Sequence, residues 1–175
     1  MIKVRKPLLL ILAALAVLGA VAIHAAPIRT VTATITKISD GDTVQAITPE
    51  GTKLKVRLYG IDAPETQKRN IPGEPFSNAS RDYLASLISQ RSVRVEIRDI
   101  DRYRRMVAII WLGERNVNQE MISAGMAEAY REYLKTPYRA PFIQAEQAAK
   151  AQDRGIWSQG NTYERPSQFR RRIGS

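Results

Sequence analysis

Alternating apolar residues in short segments constrain the fold of this chain more than any other sequence feature. Residues 53–60 place Leu54, Val56 and Leu58 between polar neighbours, and residues 93–97 repeat the pattern. Because successive side chains of a strand point to opposite faces, this alternation is typical of strands with one buried face. Three further apolar segments rich in β-branched residues are also predicted to be strands: 29–38, 43–48 and 105–111.

Helical patterns lie between and after these strands. Apolar residues at helical spacing predict a helix over residues 77–89 and a longer one over residues 139–153. Asn116 and Gln119 are suited to cap a short helix that ends near Gly125. The proline-rich stretch 62–76 is predicted to be a loop. Five strands, one interposed helix and two later helices predict a mainly β fold, an OB-fold five-stranded barrel with three helices.

The first 26 residues have the pattern of a targeting segment. Lys3, Arg5 and Lys6 precede an uncharged apolar run, residues 8–23, and small residues follow it. The run is short for a membrane span, which needs about 20 residues. We therefore expect residues 1–26 to be a cleaved signal peptide, with a retained anchor or a buried helix as alternatives. Cleavage would make the protein secreted or periplasmic, without stable membrane association.

The remaining chain is predicted to contain one domain over residues 27–160 and a basic, flexible tail over residues 161–175. The chain has no cysteine, and its single histidine, His24, lies in the leader. Thiolate chemistry, disulfides and an imidazole base are therefore excluded from the domain. The net charge of +10 favours a polyanionic partner, although a basic surface can also serve solubility alone.

Three charged clusters could carry chemistry. They are Asp40-Gly41-Asp42-Thr43, the segment from Arg57 to Glu65 with Asp62 and Pro64, and Asp101-Arg102-Tyr103-Arg104-Arg105. Each cluster alone is typical of an ordinary turn or a solvated strand end. Together they match the needs of phosphodiester hydrolysis, which requires an activated water and a counter to charge on the phosphoryl oxygens.

Five side chains are the candidates for these roles. The carboxylates of Asp42 and Asp62 are hard oxygen ligands of the kind that Ca²⁺ accepts. Glu65 follows closely and is the candidate base, because no histidine is present. Arg57 and Arg105 can each present a planar guanidinium to a phosphate, which lysine cannot reproduce.

These motifs, in this order, closely resemble those of the thermonuclease (staphylococcal nuclease) family. The resembling positions are Asp40-Gly41-Asp42-Thr43-Val44, then Arg57-Leu58 with Ile61-Asp62 and Pro64-Glu65, then Asp101-Arg102-Tyr103 with Arg105 and Val107-Ala108. The resemblance extends over about residues 35–158. It implies an OB-fold, SNase-like endonuclease that cleaves DNA and RNA with calcium and little sequence preference.

The resemblance also implies roles for individual residues. It implies that Asp42, Asp62 and the carbonyl of Ala63 bind calcium, that Glu65 activates or positions the water, and that arginines 57 and 105 hold the phosphate. Tyr103 and Tyr130 would line the nucleotide pocket, although packing alone also explains such tyrosines. The family further implies a monomer that favours single-stranded or frayed nucleic acid.

Three positions depart from the family pattern. Arg104 stands where glycine is usual, so a left-handed backbone there would be strained and could displace Arg105, or the side chain could add a phosphate contact. Ala63 replaces a hydroxyl residue, but only its carbonyl is needed for the metal. Ala46 is smaller than usual, which we expect to change only packing.

Two other functions remain open at the level of sequence. One is a catalytically silent OB-fold module that binds nucleic acid or oligosaccharide. The presence of all five candidate side chains argues against it. The other is a basic interaction protein anchored by residues 8–23, which would leave the three motifs unexplained.

Overall fold

The computed structural model of the chain describes residues 27–67, 69 and 71–173. The predicted leader, residues 1–26, lies outside the described residues. The described strands are β1 (Arg29–Asp40), β2 (Thr43–Ile47), β3 (Lys53–Leu58), β4 (Ile61–Asp62), β5 (Ser92–Ile100), β6 (Met106–Leu112), β7 (Arg115–Asn116) and β8 (Glu128–Ala129). The helices are α1 (Ser77–Ile88), α2 (Val117–Ser123), α3 (Arg139–Lys150), a 3₁₀ helix (Gly155–Thr162) and α4 (Pro166–Ile173).

Five of the strands close into a barrel. Strands β3, β2, β1, β5 and β6 are neighbours in that order, and each of these pairs is antiparallel. A parallel pairing of β3 with β6 joins the two edges, with Arg57 opposite Val107. Closure of this kind leaves the barrel strands without a free edge. The predicted OB-fold barrel is confirmed, but the expected number of three helices was wrong, because the described residues contain five helical segments.

The barrel interior is built from the alternating residues that predicted the strands. Leu54, Val56 and Leu58 of β3 are buried, as are Val93 and Val95 of β5. Burial of one such aliphatic side chain contributes about 1.5–3 kcal/mol to stability. The alternation therefore fixes which face of each strand turns inward.

A buried asparagine joins helix α2 to the barrel. The side chain of Asn118 accepts a hydrogen bond from the Ile110 amide at 2.9 Å. It donates to the carbonyls of Tyr59 at 3.0 Å and Ala108 at 3.1 Å. Helix α2 begins as predicted, with the Asn116 side chain accepting from the Gln119 amide at 3.1 Å.

The C-terminal segment packs onto the domain instead of extending away from it. Residues 166–173, within the segment expected to be a flexible tail, form helix α4, and its Phe169 is buried. The buried carboxylate of Glu128 accepts three hydrogen bonds from the Arg165 side-chain nitrogens, the shortest 2.8 Å, and one from the Tyr163 hydroxyl at 3.0 Å. Burial and the Glu128 charge both raise the Tyr163 pKa. In the part of the chain described, no helix has the length and apolar character to cross a membrane.

Candidate active site

The first acidic motif forms the turn between β1 and β2. The side chain of Asp40 accepts a hydrogen bond from the Asp42 amide at 3.1 Å, as is common in aspartate turns. Gly41 lies against helix α1, so a Cβ at this position would fall 1.9 Å from the Ser80 Oγ and 2.8 Å from the Ala63 Cβ. The turn therefore requires glycine for close approach, and it fixes Asp42 beside the barrel.

Arg57 joins the two predicted metal carboxylates. Its Nη1 lies 2.7 Å from the Asp42 Oδ2 and its Nη2 lies 2.9 Å from the Asp62 Oδ1. The same Nη1 donates to the carbonyl of Ile61 at 3.0 Å. Arg57 ends up largely buried between two carboxylates, each from a different chain segment. The planar guanidinium satisfies this arrangement in a way that a lysine ammonium cannot.

Glu65 is held through its backbone by a second glutamate. The Glu65 amide donates to the Glu74 Oε2 at 2.8 Å, and the Glu74 amide donates to the Glu65 carbonyl at 2.9 Å. Glu74 is buried, and its Oε1 has no hydrogen-bond partner within the described structure. Burial raises the Glu74 pKa to about 7. Glu74 thus holds in place the loop that carries Glu65, the candidate base.

A third arginine enters the site from helix α4. The Arg170 Nη2 lies 2.8 Å from the Asp62 Oδ2, and its Nη1 lies 3.1 Å from the Glu65 Oε1. The two carboxylates hold the Arg170 pKa above its ordinary value, although burial opposes them. Sequence reasoning missed this residue, because a run of three arginines in a polar tail gives no signal for a docked helix.

The acidic groups crowd one another. Burial raises the Asp40 pKa to about 7, and the charge of Asp42 adds to the effect. Burial also raises the Asp62 pKa to about 6, against the opposing hydrogen bond from Arg170. Such crowding of carboxylates favours a bound cation.

The third motif forms a turn whose contacts are local. The Asp101 Oδ2 accepts from the Arg105 Nε at 2.6 Å, and its Oδ1 accepts from the amides of Tyr103 and Arg105, both at 2.9 Å. Tyr103 is 63% exposed, and the Arg105 guanidinium lies 5.5 Å from its ring centre. Arg104 adopts a φ of 61°, the left-handed conformation at which the usual family residue is glycine. The contacts of Arg105 show that its side chain still folds back onto the turn.

The predicted nucleotide tyrosine Tyr130 lies beside the carboxylate cluster. Its amide donates to the Gly60 carbonyl at 2.9 Å, and its ring meets that of Tyr133 edge-on, with centroids 4.7 Å apart. Burial raises the Tyr130 pKa, and the nearby Asp62 charge contributes. Tyr130 therefore packs against Tyr133 and also lies near Asp62.

The donor set fits a hard cation with few protein ligands. Asp42, Asp62 and the backbone of Ala63 lie together, since the Ala63 amide donates to the Asp42 Oδ2 at 2.9 Å. Within residues 27–67, 69 and 71–173, no group of three or more acidic, histidine or cysteine side chains is placed to enclose a metal. Two carboxylates and a carbonyl are still oxygen ligands of the type that Ca²⁺ or Mg²⁺ takes, and they leave positions for water and substrate.

The structure therefore brings four predicted residues into one cluster: Asp42, Arg57, Asp62 and Glu65. Ala63 adjoins that cluster, whereas Arg105 and Tyr103 form a separate group on the 101–105 turn. A surface depression of about 450 Å³, lined in part by Trp111, Gln119 and Tyr138, shares no residue with either group.

A closed five-stranded barrel, with an arginine held between two aspartates, defines an OB-type barrel protein with an acidic, arginine-rich site. The family model described as "Staphylococcal nuclease homologue" matches residues 55–159. The chain belongs to this family. The matched region contains Arg57, Asp62, Glu65 and Arg105, and it ends before helix α4.

Named relatives cover most of this chain. A Haemophilus influenzae protein named "Uncharacterized endonuclease" is 39% identical over 140 residues, which are 80% of this chain and 73% of the relative. The "Thermonuclease" of Staphylococcus hyicus is 32% identical over 71% of this chain and 74% of its own length. A "Micrococcal nuclease" of Shigella flexneri is 35% identical over 78% of this chain and 79% of its own length.

Proposed function

We propose that this protein is a calcium-dependent endonuclease that hydrolyses phosphodiester bonds of DNA and RNA with little sequence preference. The observation that carries the proposal is the Arg57 guanidinium held between Asp42 and Asp62, with Glu65 alongside. Membership of the nuclease family and the printed names of the relatives support it.

Each residue of the cluster has a role in this proposal. Asp42, Asp62 and the Ala63 carbonyl would hold the metal, which when bound supplies Lewis-acid polarisation of a phosphoryl oxygen. Glu65 would accept a proton from the attacking water at its side-chain carboxylate. Arg57 donates to the phosphoryl oxygens as charge develops there.

The 101–105 turn would serve substrate binding. Arg105 supplies a second guanidinium, and the exposed ring of Tyr103 offers a face on which a base can stack. Such stacking contributes about 1–3 kcal/mol per base without reading sequence. Single strands and frayed ends present unpaired bases to such a surface, so we expect them to be preferred.

Export is part of the proposal and rests on sequence alone. The basic start, the apolar run 8–23 and the small residues that follow are typical of a signal peptide. We propose a secreted or periplasmic monomer. The ratio of leaderless to full-length protein outside the cytoplasm, measured by mass spectrometry, tests the cleavage.

The decisive experiment measures cleavage of single-stranded DNA by the purified protein in Ca²⁺, in Mg²⁺ and in chelator. We expect cleavage with Ca²⁺ only, and its loss in Asp62→Asn. Asp82→Asn, which changes an exposed aspartate of helix α1, is the matched control and should cleave normally. Cleavage in chelator would exclude the metal. Binding of DNA without cleavage in all three conditions would favour the catalytically silent binding module.

A further inference from the structure

Arg170 occupies the part of the acidic site that faces helix α4. Both oxygens of Asp62 are taken by guanidinium groups, Oδ1 by Arg57 at 2.9 Å and Oδ2 by Arg170 at 2.8 Å. Arg170 also pairs with Glu65 at 3.1 Å. Its two carboxylate partners are thus a candidate metal ligand and the candidate base.

The arginine reaches the site because helix α4 is anchored one strand away. Glu128, which holds Arg165 and Tyr163, pairs with Asp62 in the two-stranded β4–β8 sheet. Phe169, the neighbour of Arg170 in the helix, is 6% exposed. The approach of Arg170 is therefore set by two contacts that precede it in the chain, the buried ring of Phe169 and the pairing of Arg165 with the buried Glu128 carboxylate.

A divalent cation and the Arg170 guanidinium would both bind the Oδ2 of Asp62. Asp62 can bind a metal through Oδ2 only at a position that Arg170 now approaches, and two cations placed on one carboxylate oxygen repel each other. Arg57 contacts Asp62 at the other oxygen, Oδ1, and Asp42 at Oδ2, so its contacts leave the Asp62 Oδ2 to Arg170 or to a metal.

We propose that Arg170 is an internal cation of this site, so that metal binding and docking of helix α4 compete. The inference rests on the proposed metal site at Asp42 and Asp62. In the metal-free protein, Arg170 neutralises the Oδ2 side of the buried Asp62 carboxylate and engages Glu65. Metal entry displaces Arg170 and loosens the α4 segment, which frees Glu65 for its role as a base.

The test compares Ca²⁺ affinity, measured by isothermal titration calorimetry without nucleic acid, in the wild-type protein and two variants. Arg170→Ala should tighten Ca²⁺ binding about fivefold, the change expected for loss of one competing, partly exposed ion pair. Arg171→Ala is the matched control, because Arg171 is exposed on the same helix and, among the described residues, its side chain donates only to the Ser167 carbonyl, at 3.2 Å. It removes the same charge and should change the affinity less than twofold.

A third variant separates docking from charge. Phe169→Ala removes the apolar anchor of helix α4 and leaves every charge in place, so it should also tighten Ca²⁺ binding. Hydrogen exchange supplies a readout that is independent of affinity. Addition of Ca²⁺ to the wild-type protein should speed amide exchange across residues 163–173.

The outcomes distinguish this inference from the proposed function. If the wild-type protein and Arg170→Ala bind Ca²⁺ equally, or if Ca²⁺ protects residues 163–173 from exchange, the competition is refuted while the metal site stands. Equal Ca²⁺ affinity with weaker binding of a single-stranded oligonucleotide in Arg170→Ala would make Arg170 a phosphate-binding residue instead. If neither protein binds Ca²⁺, the proposed metal site fails and the inference fails with it.

Discussion

The two family arginines occupy very different surroundings. Arg57 lies on barrel strand β3 and is bound by Asp42 and Asp62, carboxylates that the fold brings to it from both sides in sequence. Arg105 lies at the end of a turn and is bound by Asp101, four residues earlier. The orientation of Arg57 is therefore a property of the closed barrel, whereas that of Arg105 is a property of one turn. The first should be intolerant of change and the second adaptable.

The largest expected effect is at Arg57. Arg57→Lys keeps the charge but loses the simultaneous contacts to two carboxylates and the Ile61 carbonyl, so we expect kcat to fall about 100- to 1000-fold. Arg105→Lys, the matched change on the turn, should cost at least tenfold less. Steady-state kinetics on single-stranded DNA with Ca²⁺ measures both. Equal losses in the two variants would remove the distinction between the barrel arginine and the turn arginine.

A smaller effect is expected in the backbone of the turn. Arg104→Gly relieves a side chain at φ 61° and should raise the free energy of unfolding by about 0.5 kcal/mol, the net of relieved strain and added chain entropy. Arg102→Gly removes the same charge from the same turn, at a residue whose φ is not positive, and should lower stability. Urea denaturation compares them. A loss of stability in Arg104→Gly would show that the arginine side chain stabilises the turn.

A pH-dependent effect is expected in the loop that presents Glu65. The Glu74 pKa is raised from 4.5 to about 7 in the folded protein, so its contribution to stability is full below pH 4.5 and is lost as pH rises through 7. Glu74→Gln should remove this loss, leaving the variant more stable than the wild type at pH 8 and closer to it at pH 5. Urea midpoints across this range test the sign, with the exposed Glu114→Gln as control. Parallel wild-type and Glu74→Gln curves would contradict the shift.

The barrel and the cluster could be predicted because their signals are local. Alternation marked the strands, and short motifs placed Asp42, Arg57, Asp62 and Glu65, which the closed barrel then brings together. The sequence predicts that a left-handed backbone at position 104 would strain an arginine, and Arg104 does adopt that conformation, with a φ of 61°. The roles of these residues in catalysis stay predictions.

The rest depended on contacts between distant parts of the chain. Helix α4 is short and polar, and its docking depends on residues far earlier in the chain, among them the buried carboxylate of Glu128, which binds Arg165, and Asp62, which binds Arg170. Glu74 likewise takes its role from the reciprocal backbone pairing with Glu65. No local pattern distinguishes such residues from solvated charges. The sequence therefore predicted Arg57 and Arg105 for the site, whereas the structure places Arg57 and Arg170 at the carboxylates and Arg105 on a separate turn.

The parallel pairing of β3 with β6 has a consequence for folding during synthesis of the chain. Nearly fifty residues separate Arg57 from Val107, and helix α1 and strand β5 must form between them. Pairings across such long stretches form late, because the entropy of closing the intervening chain must be overcome first. When residues 1–100 have emerged from the ribosome, Asp42, Asp62 and Glu65 are present, but strand β6 is not, so the barrel that positions them cannot yet close. We therefore expect the proposed hydrolytic activity only after the second half of the chain has emerged and the barrel has closed.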